Sequence, residues 1–118
     1  MANHAALDAQ LNEMILQGKA MEAFDKFYAD DVTMQENSDP PTLGKAANHE
    51  REMQFFGMVE HFYGAQLLAQ AFAHDVGFAE TATDLQFKGM PRMTMSQVAV
   101  RRWKDGKVVS ERFYYNKG

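Results

Sequence analysis

Gln66-Leu67-Leu68-Ala69-Gln70-Ala71-Phe72-Ala73-His74 sets Leu68, Gln70, Phe72 and His74 on one side and Leu67, Ala69, Ala71 and Ala73 on the other. That is the period of two imposed by a β-strand. The pattern returns three times downstream, over about 78–88, 92–103 and 108–116. The breaks between these runs carry turn chemistry: Asp75-Val76-Gly77, Gly89-Met90-Pro91, and Lys104-Asp105-Gly106-Lys107 with its Asp-Gly hairpin signal. Four long antiparallel strands in a meander are predicted.

Upstream the period changes. Leu7, Leu11, Met14 and Ile15 recur at i, i+4, i+7 and i+8, which predicts a helix over about 4–17 that Gly18 can close in a left-handed conformation. Met21, Phe24, Phe27 and Tyr28 predict a second helix over about 19–28, stopped by Asp30-Asp31. Val32, Met34 and Glu36 then alternate with Thr33 and Gln35 as one short strand. After the turn-rich Asn37-Ser38-Asp39-Pro40-Pro41, a third helix is predicted over about 43–62, with Met53, Phe56 and Val59 on its apolar stripe and Gly64 closing it.

The chain of 118 residues is the size of one domain, 1–118, with a core and room for one pocket. Its 46% hydrophobic and 24% charged residues are a globular mixture. Twelve Lys plus Arg against sixteen Asp plus Glu, net charge −4, argue against nucleic acid and anionic membrane, because phosphate binding needs a concentrated basic face. No apolar run approaches the roughly 20 residues that span a bilayer, and no export signal is visible. Zero cysteines exclude disulfides and thiolate chemistry and fit a reducing compartment, so the cytoplasm is expected. Neither HExxH nor HxH occurs, so no metal site and no cofactor are expected.

Helices collected before a run of long strands imply an α+β domain, three N-terminal helices packed on one face of a curved antiparallel sheet with one short and four long strands. The strands are moderately apolar on both sides, as with Val98 and Val100 against Ala99 and Trp103, so a homodimer built sheet to sheet is expected. Helices cannot fill the wide end of a strongly curved sheet, and a pocket is expected there.

Phe27-Tyr28-Ala29-Asp30-Asp31-Val32-Thr33-Met34-Gln35-Glu36, a Pro-containing loop, Gly44 opening a helix, and Trp103-Lys104-Asp105-Gly106-Lys107-Val108-Val109-Ser110-Glu111 together resemble the nuclear transport factor 2-like (NTF2-like) superfamily, nearest its SnoaL-like and ketosteroid-isomerase-like branches. The resemblance spans nearly the whole chain in element order. It implies a cystatin-like, cone-shaped α+β fold.

Glu36 shares a side of its strand with Val32 and Met34, so its carboxylate aims toward the side the helices cover. In such surroundings a carboxylate loses hydration and its pKa moves from about 4.3 toward neutrality, as a general base requires. In the isomerase branch the catalytic base is a carboxylate at the matching position. The resemblance also turns Glu111, Phe113 and Tyr115 of the last strand toward the cavity. Glu111 is then a second interior acid, or else the partner of an arginine such as Arg101. Tyr115 could donate to a ligand oxygen. His49 falls on the helical stripe with Met53 and Phe56, where an imidazole facing the pocket would shuttle protons. Met34, Met53, Phe56, Trp103, Phe113 and Glu111 are the candidate ligand-binding residues. Met34 and Met53 are two of nine methionines, whose unbranched thioethers fill irregular shapes.

The two oxyanion donors of ketosteroid isomerisation match near Leu11 and Ala99, neither of which can donate from its side chain, so that particular reaction is not expected. The polyketide-cyclase and dehydratase branches use carboxylate and histidine combinations, for which Glu36 with His49 is a candidate pair. The expected function is therefore a small-molecule pocket with general-base catalysis beside a carbonyl of a small apolar or aromatic compound, of isomerase, cyclase or dehydratase type, without a cofactor. Glu36 would be the base, and His49 or Tyr115 would polarise the oxygen. The rival expectation is a non-catalytic dimeric ligand-binding module, for which Glu36 would stand in solvent.

Overall fold

Asn3 opens the first helix by accepting a hydrogen bond on its side chain from the Ala6 N–H, which satisfies one of the free donors of the first turn. The structure is a computed structural model describing residues 3–116. Helix α1 runs His4–Leu16 and ends where Gly18 takes φ 78°; Gly18 N–H reaches Ile15 O at 3.0 Å and Lys19 N–H reaches Met14 O at 2.9 Å. This pair of bonds is the Schellman closure that a left-handed glycine permits. Helix α2, Ala20–Phe27, buries Ala23, Phe24 and Phe27 and passes without a loop into strand β1, Tyr28–Glu36. Asp30 and Asp31 do not stop the helix, as expected from the sequence, but lie in β1 as exposed residues. The extended backbone begins four residues before the predicted strand because Tyr28 already pairs with Val108.

Strand β2 is Thr42–Leu43, helix α3 is Lys45–Gly57, and β3 (Val59–Ala73), β4 (Val76–Phe87), β5 (Met93–Lys104) and β6 (Lys107–Tyr114) form the expected meander. The third helix ends five residues earlier than expected. Its last predicted turn contains β-branched and aromatic residues, and Val59 and Phe62 instead pair with Phe87 and Leu85 as the start of β3. Gly64 therefore sits in a strand, beside a bulge, rather than closing a helix. The β3–β4 turn falls at His74-Asp75, both with positive φ, one position before the predicted one; Asp105-Gly106 makes the β5–β6 turn as expected.

The sheet order is β2-β1-β6-β5-β4-β3, and the β1–β6 pair is parallel, so the sheet is mixed and has six strands where five antiparallel ones were expected. The three helices pack on one face. Leu11 from α1, Phe24 and Phe27 from α2, Tyr28, Val32 and Met34 from β1, Trp103 from β5 and Val108 from β6 form the core. Asn48, wholly buried in α3, donates its side-chain amide toward the Val32, Thr42 and Gly44 carbonyls (3.3, 3.0 and 2.8 Å) and so ties the start of the helix to β1 and β2. No helix among the described residues is long and apolar enough to cross a membrane.

Beneath α1 lies a buried ionic group, of which the Glu111–Arg101 pair was weighed from the sequence and the parts of Asp8, Trp103 and Tyr28 were not. Arg101 on β5 donates from Nε to Glu111 Oε2 at 2.7 Å and from Nη1 to Asp8 Oδ1 at 3.0 Å. Trp103 Nε1 adds a bond to the same Asp8 oxygen at 2.9 Å, and Tyr28 donates its hydroxyl to Glu111 Oε1 at 2.5 Å. Gly77 on β4 makes room for this group, since a methyl there would collide with the Asp8 carboxylate.

Candidate active site

Between the helices and the wide end of the sheet is a cavity of about 290 Å³. Each element contributes a wall according to its period. On β1 the alternate residues Met34 and Glu36 face it, as their period of two predicts, and Glu111 and Phe113 of β6 with Tyr115 just beyond it do so too, on the side that the family resemblance turns inward. Helices α1 and α2 supply Leu11, Ile15, Met21 and Phe24. Helix α3 supplies Arg51, Glu52, Phe55 and Phe56. The rest is largely apolar, including Phe62 from β3, Leu85 from β4 and Met95 from β5.

Four polar lining residues form one connected group, Tyr115, Glu36, Arg51 and Glu52. Glu36 stands at the rim, its side chain 40% exposed, and accepts the Tyr115 hydroxyl on Oε1 at 2.8 Å. Burial, and then the bond to Glu36, raises the Tyr115 pKa to about 12, so this hydroxyl is a donor throughout the working range. Arg51 lies between two carboxylates, with Nη1 3.7 Å from Glu36 Oε2 and Nη2 3.1 Å from Glu52 Oε1. Its Nε is buried and has no hydrogen-bond partner among the described residues. Glu52 is the most perturbed acid of the group. Burial lifts its pKa from the ordinary 4.5 to about 7, opposed by Arg51 and reinforced by the charges of Glu111 and Glu36.

Several residues expected at the site stand elsewhere. His49 does not line the cavity: its ring packs against Phe24 at 5.9 Å between centroids, and its Nε2 lies 3.9 Å from Asp25 on α2. Met53 is 51% exposed and also lies outside it. Both follow from one rotation. The inward stripe of α3 is Asn48, Glu52 and Phe55, one residue before the predicted stripe, which turns the helix by about 100°. Trp103 is a core residue whose indole is held by Asp8 and by Phe27 at 5.8 Å, away from the cavity. Glu111 lines the cavity with both oxygens occupied, by Tyr28 and Arg101, the structural pairing weighed for it from the sequence. Burial and then the charge of Glu111 push the Tyr28 hydroxyl well above its usual pKa, so it stays a donor in this pair. Met34, Phe56 and Phe113 are in the lining, as expected.

Arg51 and Glu52 were not anticipated. Glu50-Arg51-Glu52 reads as a solvated charge run, and only a helical phase anchored on the buried Asn48 would have shown Glu52 facing inward.

A search of curated proteins finds no match to this chain. Solved structures resemble it closely in fold. A candidate SnoaL-like polyketide cyclase from Mesorhizobium loti superposes with a TM-score of 0.87 at 24% identity, covering 97% of this chain and 100% of the other. A nuclear transport factor 2-like protein of unknown function from Burkholderia pseudomallei gives 0.82 at 10% identity, covering 98% and 92%. A candidate isomerase from Bacillus subtilis gives 0.81 at 17% identity, covering 98% and 90%. Such identities speak for the fold alone. The sequence itself matches the model of the SnoaL-like domain over residues 1–115, and the chain belongs to that family.

Proposed function

We propose that the cavity is the site of a cofactor-independent proton-transfer reaction on a small, largely apolar or aromatic carbonyl compound, of isomerase, cyclase or dehydratase type. The supporting observation is that Glu52, a largely shielded carboxylate with a pKa of about 7, stands with the donors of Arg51 and Tyr115 in the wall of an apolar cavity. A base works best when its pKa lies near the operating pH. Glu52 then takes a proton from the carbon beside the carbonyl and returns it at another carbon. Negative charge that develops on the carbonyl oxygen is met by the Arg51 N–H groups, which take the polarising role expected of His49, and by the Tyr115 hydroxyl when it turns from Glu36 to the substrate. Glu36 holds Tyr115 and Arg51 in place from the rim.

The test is deuterium exchange. Acetophenone, cyclohexanone and 2-indanone are incubated with the protein in D₂O, and incorporation at the α-carbon is followed by NMR. The proposal expects exchange with at least one ketone, rising with pH through about 7 as Glu52 ionises. No exchange above the buffer rate with any of them favours the non-catalytic binding module instead.

The proposal extends to a homodimer through the outer sheet face, in the cytoplasm. Phe78, 41% exposed on β4, stands there beside Ala69, Ala71 and Val98 over a shallow apolar depression. Apolar surface of this kind is commonly covered by a partner. Sedimentation equilibrium of the wild type is expected to give the dimer mass and that of Phe78→Glu the monomer mass; a monomeric wild type overturns this part.

A further inference from the structure

The residues around the cavity are unequally charged. Glu36, Glu52 and Glu111 are in its wall, and Arg51 is the only Lys or Arg among the lining residues described. Arg101, which pairs with Glu111 from behind, is itself shared with Asp8. Each guanidinium therefore stands between two carboxylates: Asp8 and Glu111 on Arg101, Glu36 and Glu52 on Arg51. Fully ionised, each trio keeps one negative charge in excess. Excess charge held out of water costs free energy unless a proton or a counter-ion neutralises it, fully so in the Arg101 trio and in part in the Arg51 trio, where Glu52 is shielded and Glu36 is 40% exposed.

Two kinds of cation could do so. Among the described residues no group of three His, Asp or Glu could hold a metal ion. The remaining lining instead suits an organic cation, because Phe24, Tyr28, Phe55, Phe56, Phe62 and Phe113 surround the same space. Aromatic faces attract ammonium groups through their quadrupole, the more strongly when water is excluded.

We infer that the cavity takes a small organic cation, an apolar or aromatic body bearing one protonated or quaternary nitrogen, with that nitrogen at the Glu36–Arg51–Glu52 group. The inference rests on the proton-transfer reading above and names its substrate class: a carbonyl compound that also carries an ammonium group. Such a group would offset the negative charge that deprotonation creates in a cavity already rich in carboxylates.

Binding of a cation is coupled to a proton. The charged and titratable groups that act on Glu52 are Arg51 on α3, Glu36 and Tyr28 on β1, and Glu111 on β6, with Tyr115 just beyond β6 in the same cavity wall. A positive nitrogen beside Glu52 favours its ionised form, so protons are released on binding near neutrality and affinity rises as pH increases through about 7.

The experiment compares phenyltrimethylammonium with tert-butylbenzene, its neutral counterpart of the same shape, by calorimetry on the intact protein at pH 6 and pH 8. The ammonium is expected to bind at least fivefold more tightly than the hydrocarbon at pH 8. Its affinity is expected to fall several-fold at pH 6, with proton release seen as a dependence of the heat on the buffer's ionisation enthalpy. Glu52→Gln is expected to abolish that pH dependence. Equal or weaker binding of the ammonium, absence of binding by either compound, or a pH dependence that survives in Glu52→Gln overturns the inference. Ammonium selectivity without ketone exchange sinks the catalytic reading alone, and ketone exchange without ammonium selectivity sinks this inference alone.

Discussion

Glu52→Gln is expected to lower the exchange rate of the best ketone by about 10²–10⁴-fold, the usual contribution of a positioned general base. The amide keeps the shape of the side chain and its contact with Arg51 but cannot accept a proton. The same substitution has an independent signature in stability. The Glu52 carboxyl has a pKa of about 7 in the folded protein against an ordinary 4.5, so between these values the folded state holds a proton that the unfolded state has lost. Stability from this group is therefore fully present below about pH 4.5 and declines as pH rises through about 7, a loss of order 3 kcal/mol from the size of the shift. Glu52→Gln removes that loss, so urea denaturation should find the variant more stable than wild type at pH 8 and nearly equal to it at pH 4.5. A variant that is inactive and less stable at pH 8 would show that the side chain supports the fold rather than the chemistry.

Arg101→Met is expected to destabilise the protein by about 3–5 kcal/mol, the typical result of removing one partner from a buried ionic group. Arg101 is 2% exposed and is the cation bonded to both Asp8 and Glu111, so its removal leaves two carboxylates in the interior without it. The check is a urea titration at pH 7 of three chains: wild type, Arg101→Met, and Arg101→Met combined with Asp8→Asn and Glu111→Gln. Neutralising both acids is expected to recover most of the loss, because the penalty comes from uncompensated charge rather than from lost packing. If the triple variant is no better than the single one, the guanidinium acts mainly by filling space.

These two residues also mark how far the sequence could be read. Strand parity was legible because a period of two leaves only two choices, and the run of apolar residues on Val32 and Met34 selected the right one for Glu36. The same parity put Glu111, Phe113 and Tyr115 on one side of their strand, and the family resemblance turned that side toward the cavity. Helix α3 offers more phases, and its apolar Met53 and Phe56 outweighed the buried Asn48 and the inward-facing Glu52, both polar, in setting the stripe. A polar residue that is buried through specific bonds, as Asn48 is through three carbonyls, carries no hydrophobic signal. Asp8 was illegible for the same reason: on α1 it neighbours an apolar stripe, and only the fold brings it to Arg101 and Trp103. The parallel pairing of β1 with β6 could not be read either, since it joins segments at opposite ends of the chain and leaves no local pattern.

That last pairing governs when the site comes into being. Tyr115 meets Glu36 across a separation of 79 positions, and Tyr28 meets Glu111 across 83. Contacts so distant along the chain are entropically slow to close, and chains dominated by them fold late and slowly. The meander can zip up from neighbouring hairpins beforehand, but the acid, the phenol and the buried arginine reach one another only when the newest strand docks beside the oldest. A nascent polypeptide that has not yet delivered its final strand thus holds no half-working version of the chemistry.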